Sequence, residues 1–322
     1  MVVPTLEEIR EAANRIEPYI HRTPVLTCKA IDAMVGAEIY FKCENFQKAG
    51  AFKARGATNA VFSLSEQEVS HGVATHSSGN HAAALALAAK SRGVKAYVVM
   101  PQTAPQVKKD AVAGYGAEIF FCKPTLAARE ETLAKVVEET GAAAVHPYND
   151  LRIITGQATA AVELIQETPQ LDIVMTPIGG GGLTCGTALA VRYLSPGTKV
   201  IAAEPEGADD AYRSFRSGKL VASENPRTIA DGLLTSLGDK TFPIVRQFVD
   251  DIVTVSEEGI IEAMRCTWER MKIIVEPSSS VPLGALLTRK LDAAGKRVGI
   301  ILSGGNVDLA RLPWPAAPSA AF

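Results

Sequence analysis

Short runs of β-branched and aliphatic residues alternate along this chain with longer stretches in which alanine and leucine recur at helical spacing. The runs at 38–42, 95–100, 118–121, 173–176, 199–203, 252–255 and 298–302, with a weaker signal at 72–75, are too short for helices and predict strands. The stretches 82–90, 106–113, 126–140, 183–193 and 257–271 predict helices between them. Such alternation is the signature of an α/β protein with parallel strands, because a parallel pair needs a crossover and a helix is the usual one. Near the start, Thr5-Leu6-Glu7-Glu8 reads as a capping box opening an amphipathic helix.

Three breaks in this pattern carry candidate chemistry. The first sets Lys53 among small and apolar residues, Ala49-Gly50-Ala51-Phe52-Lys53-Ala54, just ahead of a helical pattern. Taken alone it fits either a surface lysine at a helix start or a partly buried amine whose lowered pKa makes it a Schiff-base former. The second is Gly179-Gly180-Gly181-Gly182, between a strand and a helix. Glycines let backbone N–H groups face a phosphate unobstructed, and the helix end adds partial positive charge. A tight turn without a ligand is the alternative. The loop lacks the Gly-Lys-Ser/Thr ending of a nucleotide-triphosphate loop and the spacing of a dinucleotide fingerprint. The third is Ser77-Ser78-Gly79-Asn80-His81, whose hydroxyls, amide and backbone donors at a helix start suit a carboxylate or simply cap the helix.

Composition narrows the field. The 322 residues are 47% hydrophobic, enough for a sizeable core and about two domains, and the net charge of −2 gives no electrostatic reason to expect nucleic acid or an acidic membrane as partner. Five cysteines without a Cys-x-x-Cys pair indicate neither a disulfide framework nor a zinc ribbon and point to reduced thiols in a cytoplasmic protein. No apolar run is long enough to suggest a membrane span. None of the five histidines has metal-ligand spacing, and His76 or His146 reads as a satisfied core or loop residue.

In this order, with His21 to Thr27, His146 to Asp150, Glu204 to Asp210, Thr228 to Gly232 and Ser303 to Asp308 beside them, the motifs resemble the fold type II pyridoxal-phosphate enzymes, and within them the serine racemase and serine/threonine dehydratase family. The resemblance runs over nearly the whole chain. It implies two open, twisted, mostly parallel sheets flanked by helices. It also implies a small mobile domain, 72–149, inserted in a large cofactor-binding domain, 1–71 and 150–322, with the cofactor in the cleft between them. The implied activity is racemisation of serine with accompanying dehydration to pyruvate and ammonia. A dedicated dehydratase of threonine, serine or 3-hydroxyaspartate is the alternative. A non-catalytic amino-acid binder on the same scaffold is a third reading, against which the joint presence of Lys53, Asn80, the glycine loop and Ser303 argues.

Roles follow from the same resemblance. Lys53 becomes the Schiff-base lysine and the base on one face of the α-carbon, with Phe52 beside the ring, and Asn80 hydrogen-bonds the ring hydroxyl. Gly179, Gly180, Gly181 and Gly182 cradle the phosphate. Ser303 faces the pyridine nitrogen with a neutral hydroxyl, which favours elimination or short-lived carbanions. Ser78 serves the opposite face in racemases, where many dehydratases carry alanine. Ser77, Ser78, Asn80 and His81 hold the substrate carboxylate, and Arg129 reaches the substrate after closure, though it also reads as an ordinary exposed helix residue. Tyr148, Asn149, Asp150 and Arg152 follow the plant-type pattern. An arginine near that loop could greet a second carboxylate, as in 3-hydroxyaspartate dehydratases. Glu204, Ala208 and Asp210 match a divalent-cation site for Mg²⁺, Ca²⁺ or Mn²⁺; without the resemblance they read as an acid-rich helix start. A homodimer is the implied assembly.

Overall fold

The computed structural model describes residues 2–77, 79–104 and 106–314. Ten strands occur among them: β1 (Val25–Leu26), β2 (Glu38–Cys43), β3 (Val73–His76), β4 (Ala96–Pro101), β5 (Glu118–Cys122), β6 (Ala143–Ala144), β7 (Ile173–Pro177), β8 (Lys199–Pro205), β9 (Asp251–Val255) and β10 (Arg297–Leu302). They form two sheets. One has the order β1-β2-β10-β7-β8-β9 and the other β5-β4-β3-β6. Every pairing is parallel except that of β1 with β2, so the α/β expectation of two mostly parallel sheets holds.

The six-stranded sheet is covered on both faces, and its strands divide their side chains with a period of two. Ile39, Phe41, Met175, Ile201, Ile300 and Leu302 enter one apolar cluster, while Val174, Val200, Ala202, Ile252 and Ile301 enter the other. The four-stranded sheet is built wholly from chain lying between β2 and β7. No helix among the described residues is long and apolar enough to cross a membrane. All five cysteines are free, four of them buried.

The capping box is present: Glu8 N–H donates to Thr5 Oγ1 and the Glu8 carboxylate accepts from Thr5 N–H. Two features exceed the local pattern. Helix Pro277–Leu287 forms from a serine-rich run with Pro277 in its first turn, where a missing N–H costs nothing, and with Pro282 inside it. The two-residue strands β1 and β6 exist only through their partners.

A buried ion cluster fixes the frame around Lys53. Arg55 donates through Nε and Nη2 to Glu44 at 2.7 and 2.8 Å, and through Nη1 and Nη2 to Glu163 at 2.7 and 2.8 Å. Lys42 reaches Glu163 at 2.7 Å and the Thr23 carbonyl at 2.6 Å. Two cations and two carboxylates thus balance in the interior, tying β2 to helices Lys53–Ser63 and Leu151–Glu167.

Candidate active site

The strand ends converge. In parallel sheets the carboxyl ends of strands leave loops and helix N-termini around a common crevice, and here a cavity of about 450 Å³ is lined by Lys53, Asn80, the glycine loop and Ser303 together. Residues more than two hundred positions apart in the chain therefore share one site.

Lys53 opens its helix, and the Phe52 N–H ahead of it donates to the Ser303 carbonyl at 2.9 Å, seating the lysine beside the end of β10. Lys53 Nζ donates to the Pro147 carbonyl at 2.8 Å and stands 5.1 Å from the Phe52 ring centroid. Burial pulls its pKa from 10.5 down to about 8, against the pull of the Glu276 carboxylate. The amine is thus far closer to its nucleophilic form than a surface lysine.

The glycine loop follows β7 and opens helix Gly182–Leu194. A Cβ on Gly180 would fall 2.3 Å from Tyr148 Cγ, and Gly181 holds φ +87°, so side chains at these two positions would collide or strain. The result is a bare backbone surface at the N-terminus of a thirteen-residue helix, the arrangement that receives an anion. Ser303 is buried, its Oγ 3.1 Å from Ser279 Oγ, whose own hydrogen bonds run to the Gly304 carbonyl and from the Gly304 N–H.

Asn80 begins helix Asn80–Arg92 and donates through Nδ2 to both oxygens of Glu276, at 2.9 and 3.1 Å. Ser77 Oγ accepts from Gly79 N–H at 3.3 Å; Ser78 lies outside the described residues. His81 is buried with neither ring nitrogen hydrogen-bonded among the described residues, and burial drives its pKa well down. Arg129 lines the cavity with Nε buried and without a partner among the described residues, so it is not the ordinary exposed helix residue that its local sequence also allowed.

The structure also assembles residues that local sequence could not assign. His76 and His146 stand edge to face, 5.6 Å between centroids, and His146 meets Tyr148 at 4.6 Å. Burial, helped by Arg129 for His76 and by His76 for His146, lowers both to about 4, so both are neutral. His146 is satisfied, its Nδ1 accepting from Asn149 N–H at 2.9 Å; His76 Nδ1 has no partner among the described residues. Glu276, whose carboxyl burial pushes up to about 7, and the cavity-spanning pair Lys108–Asp231 also line the site.

Outside the cavity, Glu204 ends β8 and accepts from the N–H groups of Ala211 and Tyr212 at 2.9 and 2.7 Å. Asp210 is buried, and neither of its carboxylate oxygens has a hydrogen-bond partner among the described residues. Ala208 sits in the turn between them. Among the described residues no group of three or more His, Cys, Asp or Glu side chains forms a metal site.

The family profile described as pyridoxal-phosphate dependent enzyme matches residues 16–304. The β-hydroxyaspartate dehydratase of Paracoccus denitrificans is 54% identical, over 98% of this chain and 100% of its own length. The serine racemase of Dictyostelium discoideum is 52% identical over 97% of this chain and 98% of its own. The structure of maize serine racemase superposes with a TM-score of 0.94 at 47% identity, covering 96% of this chain and 95% of the other.

Proposed function

The chain belongs to the family of pyridoxal-phosphate-dependent enzymes, and from that premise we propose that it is a serine racemase that also dehydrates serine to pyruvate and ammonia. The observation that carries this reading is a single cavity into which the Lys53 amine opens and which is lined by Ser77 and Gly79, the two neighbours of Ser78. Racemisation needs a proton donor or acceptor on each face of the α-carbon, and in this reading Lys53 is one and Ser78 the other.

The residues fit pyridoxal phosphate. The bare glycine backbone at a helix N-terminus suits its phosphate, the depressed Lys53 amine its aldehyde, and the Asn80 amide and Ser303 hydroxyl its ring oxygen and ring nitrogen. When bound, the cofactor supplies the electron sink that makes the α-proton of an amino acid acidic. Lys53 then moves the proton on one face of the α-carbon and Ser78 on the other. Ser303 would face the ring nitrogen with a neutral hydroxyl, which carries no charge to hold a proton there and suits elimination. Phe52 would pack beside the ring. Ser77, Asn80, His81 and Arg129 bind the substrate carboxylate. Residues 72–149 act as a mobile domain, and the Lys108–Asp231 pair across the cavity supports a closed form that excludes water.

A second reading, 3-hydroxyaspartate dehydratase, is favoured by Arg129, whose buried Nε has no partner among the described residues and would suit a second carboxylate, and by the Paracoccus relative's activity. Glu204, the Ala208 carbonyl and Asp210 would hold Mg²⁺, Ca²⁺ or Mn²⁺ outside the chemical step; the two buried, unpartnered oxygens of Asp210 support a cation there. The same reading carries a homodimer, and the five free thiols suit the cytoplasm.

The test is incubation of the cofactor-loaded protein with L-serine in D₂O, with chiral chromatography for D-serine beside pyruvate, and with Ser78→Ala and the 3-hydroxyaspartates in parallel. D-serine that disappears in Ser78→Ala while pyruvate persists supports the racemase. Keto acid alone, fastest from a 3-hydroxyaspartate, supports the dehydratase instead.

A further inference from the structure

Asn80 is held between two partners of opposite hydrogen-bonding character. Its Nδ2 donates to both Glu276 oxygens, at 2.9 and 3.1 Å, and its Oδ1 accepts from Asn306 Nδ2 at 3.0 Å. Asn306 Nδ2 is itself oriented by the Ala49 carbonyl at 2.7 Å, an acceptor and nothing else. Starting from that carbonyl, each donor and acceptor in the row is determined, so the Asn80 amide cannot flip without losing bonds at both ends. Glu276 is 3% exposed, so water cannot replace the Asn80 amide if it turned away.

We infer that Glu276 is a positioning residue that, with Asn306, locks the Asn80 amide so that a spare N–H, and not its carbonyl oxygen, faces the ring oxygen of the cofactor. This rests on the reading of the cavity as a pyridoxal-phosphate site. An Asn80 amide used by one Nδ2 hydrogen for Glu276 keeps the second hydrogen free. A donor aimed at a ring oxygen stabilises its ionised form, so the lock selects the electronic form of the cofactor that Lys53 works with. The lock also crosses the molecule, because Asn80 opens a helix beside the four-stranded sheet while Glu276, Asn306 and Ala49 follow elements of the six-stranded one.

The experiment reconstitutes cofactor-free protein with pyridoxal phosphate and reads two quantities: the cofactor Kd and the ratio of its long- to short-wavelength absorption bands. The variants are Glu276→Ala, Glu276→Gln, Asn80→Ala, the double variant Glu276→Ala/Asn80→Ala, and Asn306→Ala. Glu276→Ala is expected to weaken cofactor binding about tenfold and shift the band ratio toward the short-wavelength form. Glu276→Gln, whose amide oxygen still accepts, stays within about twofold of the parent. Added to Asn80→Ala, the Glu276 change should have no further effect on either readout, the mark of two residues acting as one unit. Asn306 is exposed, so Asn306→Ala tolerates folding and carries the test if Glu276→Ala does not fold; it should shift the band ratio the same way. The inference is overturned by an unchanged band ratio in Glu276→Ala and Asn306→Ala when Asn80→Ala does change it, or by Glu276 and Asn80 losses that add in full. An unchanged spectrum in Asn80→Ala overturns both the lock and the placement of Asn80 at the ring.

Discussion

Lys53 Nζ donates its hydrogen bond to the backbone carbonyl of Pro147, 2.8 Å away and ninety-four positions along the chain. A neutral amine can make that bond and keep its lone pair free, so the contact orients the nucleophile without consuming it. Its depressed pKa sets the pH dependence of capture. The neutral fraction rises as pH passes about 8, so the rate at which cofactor-free protein captures pyridoxal phosphate should climb through that pH and level off above it. Lys53→Ala should abolish the borohydride-trapped adduct and lower turnover by roughly 10³-fold or more.

The same shift has a stability consequence. Between about 8 and the ordinary 10.5, the unfolded chain holds a proton on Lys53 that the folded chain lacks. Stability of the cofactor-free protein therefore gains a contribution as pH rises through that window and lacks it below. Denaturant midpoints of the parent and Lys53→Met, measured at pH 7 and pH 10, should differ by more at the lower pH, with the variant the more stable there.

Gly180→Ala places a methyl 2.3 Å from the Tyr148 ring. Overpacking of this kind costs about 1–3 kcal/mol and moves the loop that would hold the phosphate. The thermal midpoint and cofactor affinity should fall together, and Tyr148→Ala in the same chain should recover part of the midpoint by making room.

Arg55→Met leaves Glu163 paired with Lys42 but takes from the buried Glu44 its cation, leaving it the Thr23 hydroxyl as donor. Removing one side of such a cluster costs about 3–5 kcal/mol, and urea denaturation measures it. Because Arg55 stands two residues after Lys53, loss of cofactor affinity should accompany the loss of stability.

Lys108 and Asp231 meet across the cavity with both side chains partly exposed. The pair is screened, so its removal should be modest: Asp231→Asn should raise KM about two- to fivefold with kcat nearly unchanged, and the difference should shrink in high salt.

Chelation should lower the thermal midpoint of the parent and added Mg²⁺ or Ca²⁺ should restore it. In Asp210→Ala neither treatment should move the midpoint, because the two buried oxygens proposed to hold the cation are gone.

Much was legible in the chain because it is encoded locally. Short continuous apolar runs become β2, β4, β5, β7, β8, β9 and β10, since strands flanked by helices on both faces carry apolar side chains to each, and the capping box and the glycine loop declare themselves within a few residues. Lys53 stood out for the same reason, a charge among small residues at a helix start. What only the tertiary structure decided are relations across sequence distance: Glu276 against Asn80, 196 positions apart, Arg55 between Glu44 and Glu163, and the neutral pair His76 and His146. The helix Pro277–Leu287 belongs with them, since Pro282 inside it argues against helix locally and burial against the six-stranded sheet outweighs that propensity. Hydrophobic periodicity reports which face of an element is buried; which polar partner waits there depends on how distant elements pack, and no local window contains that.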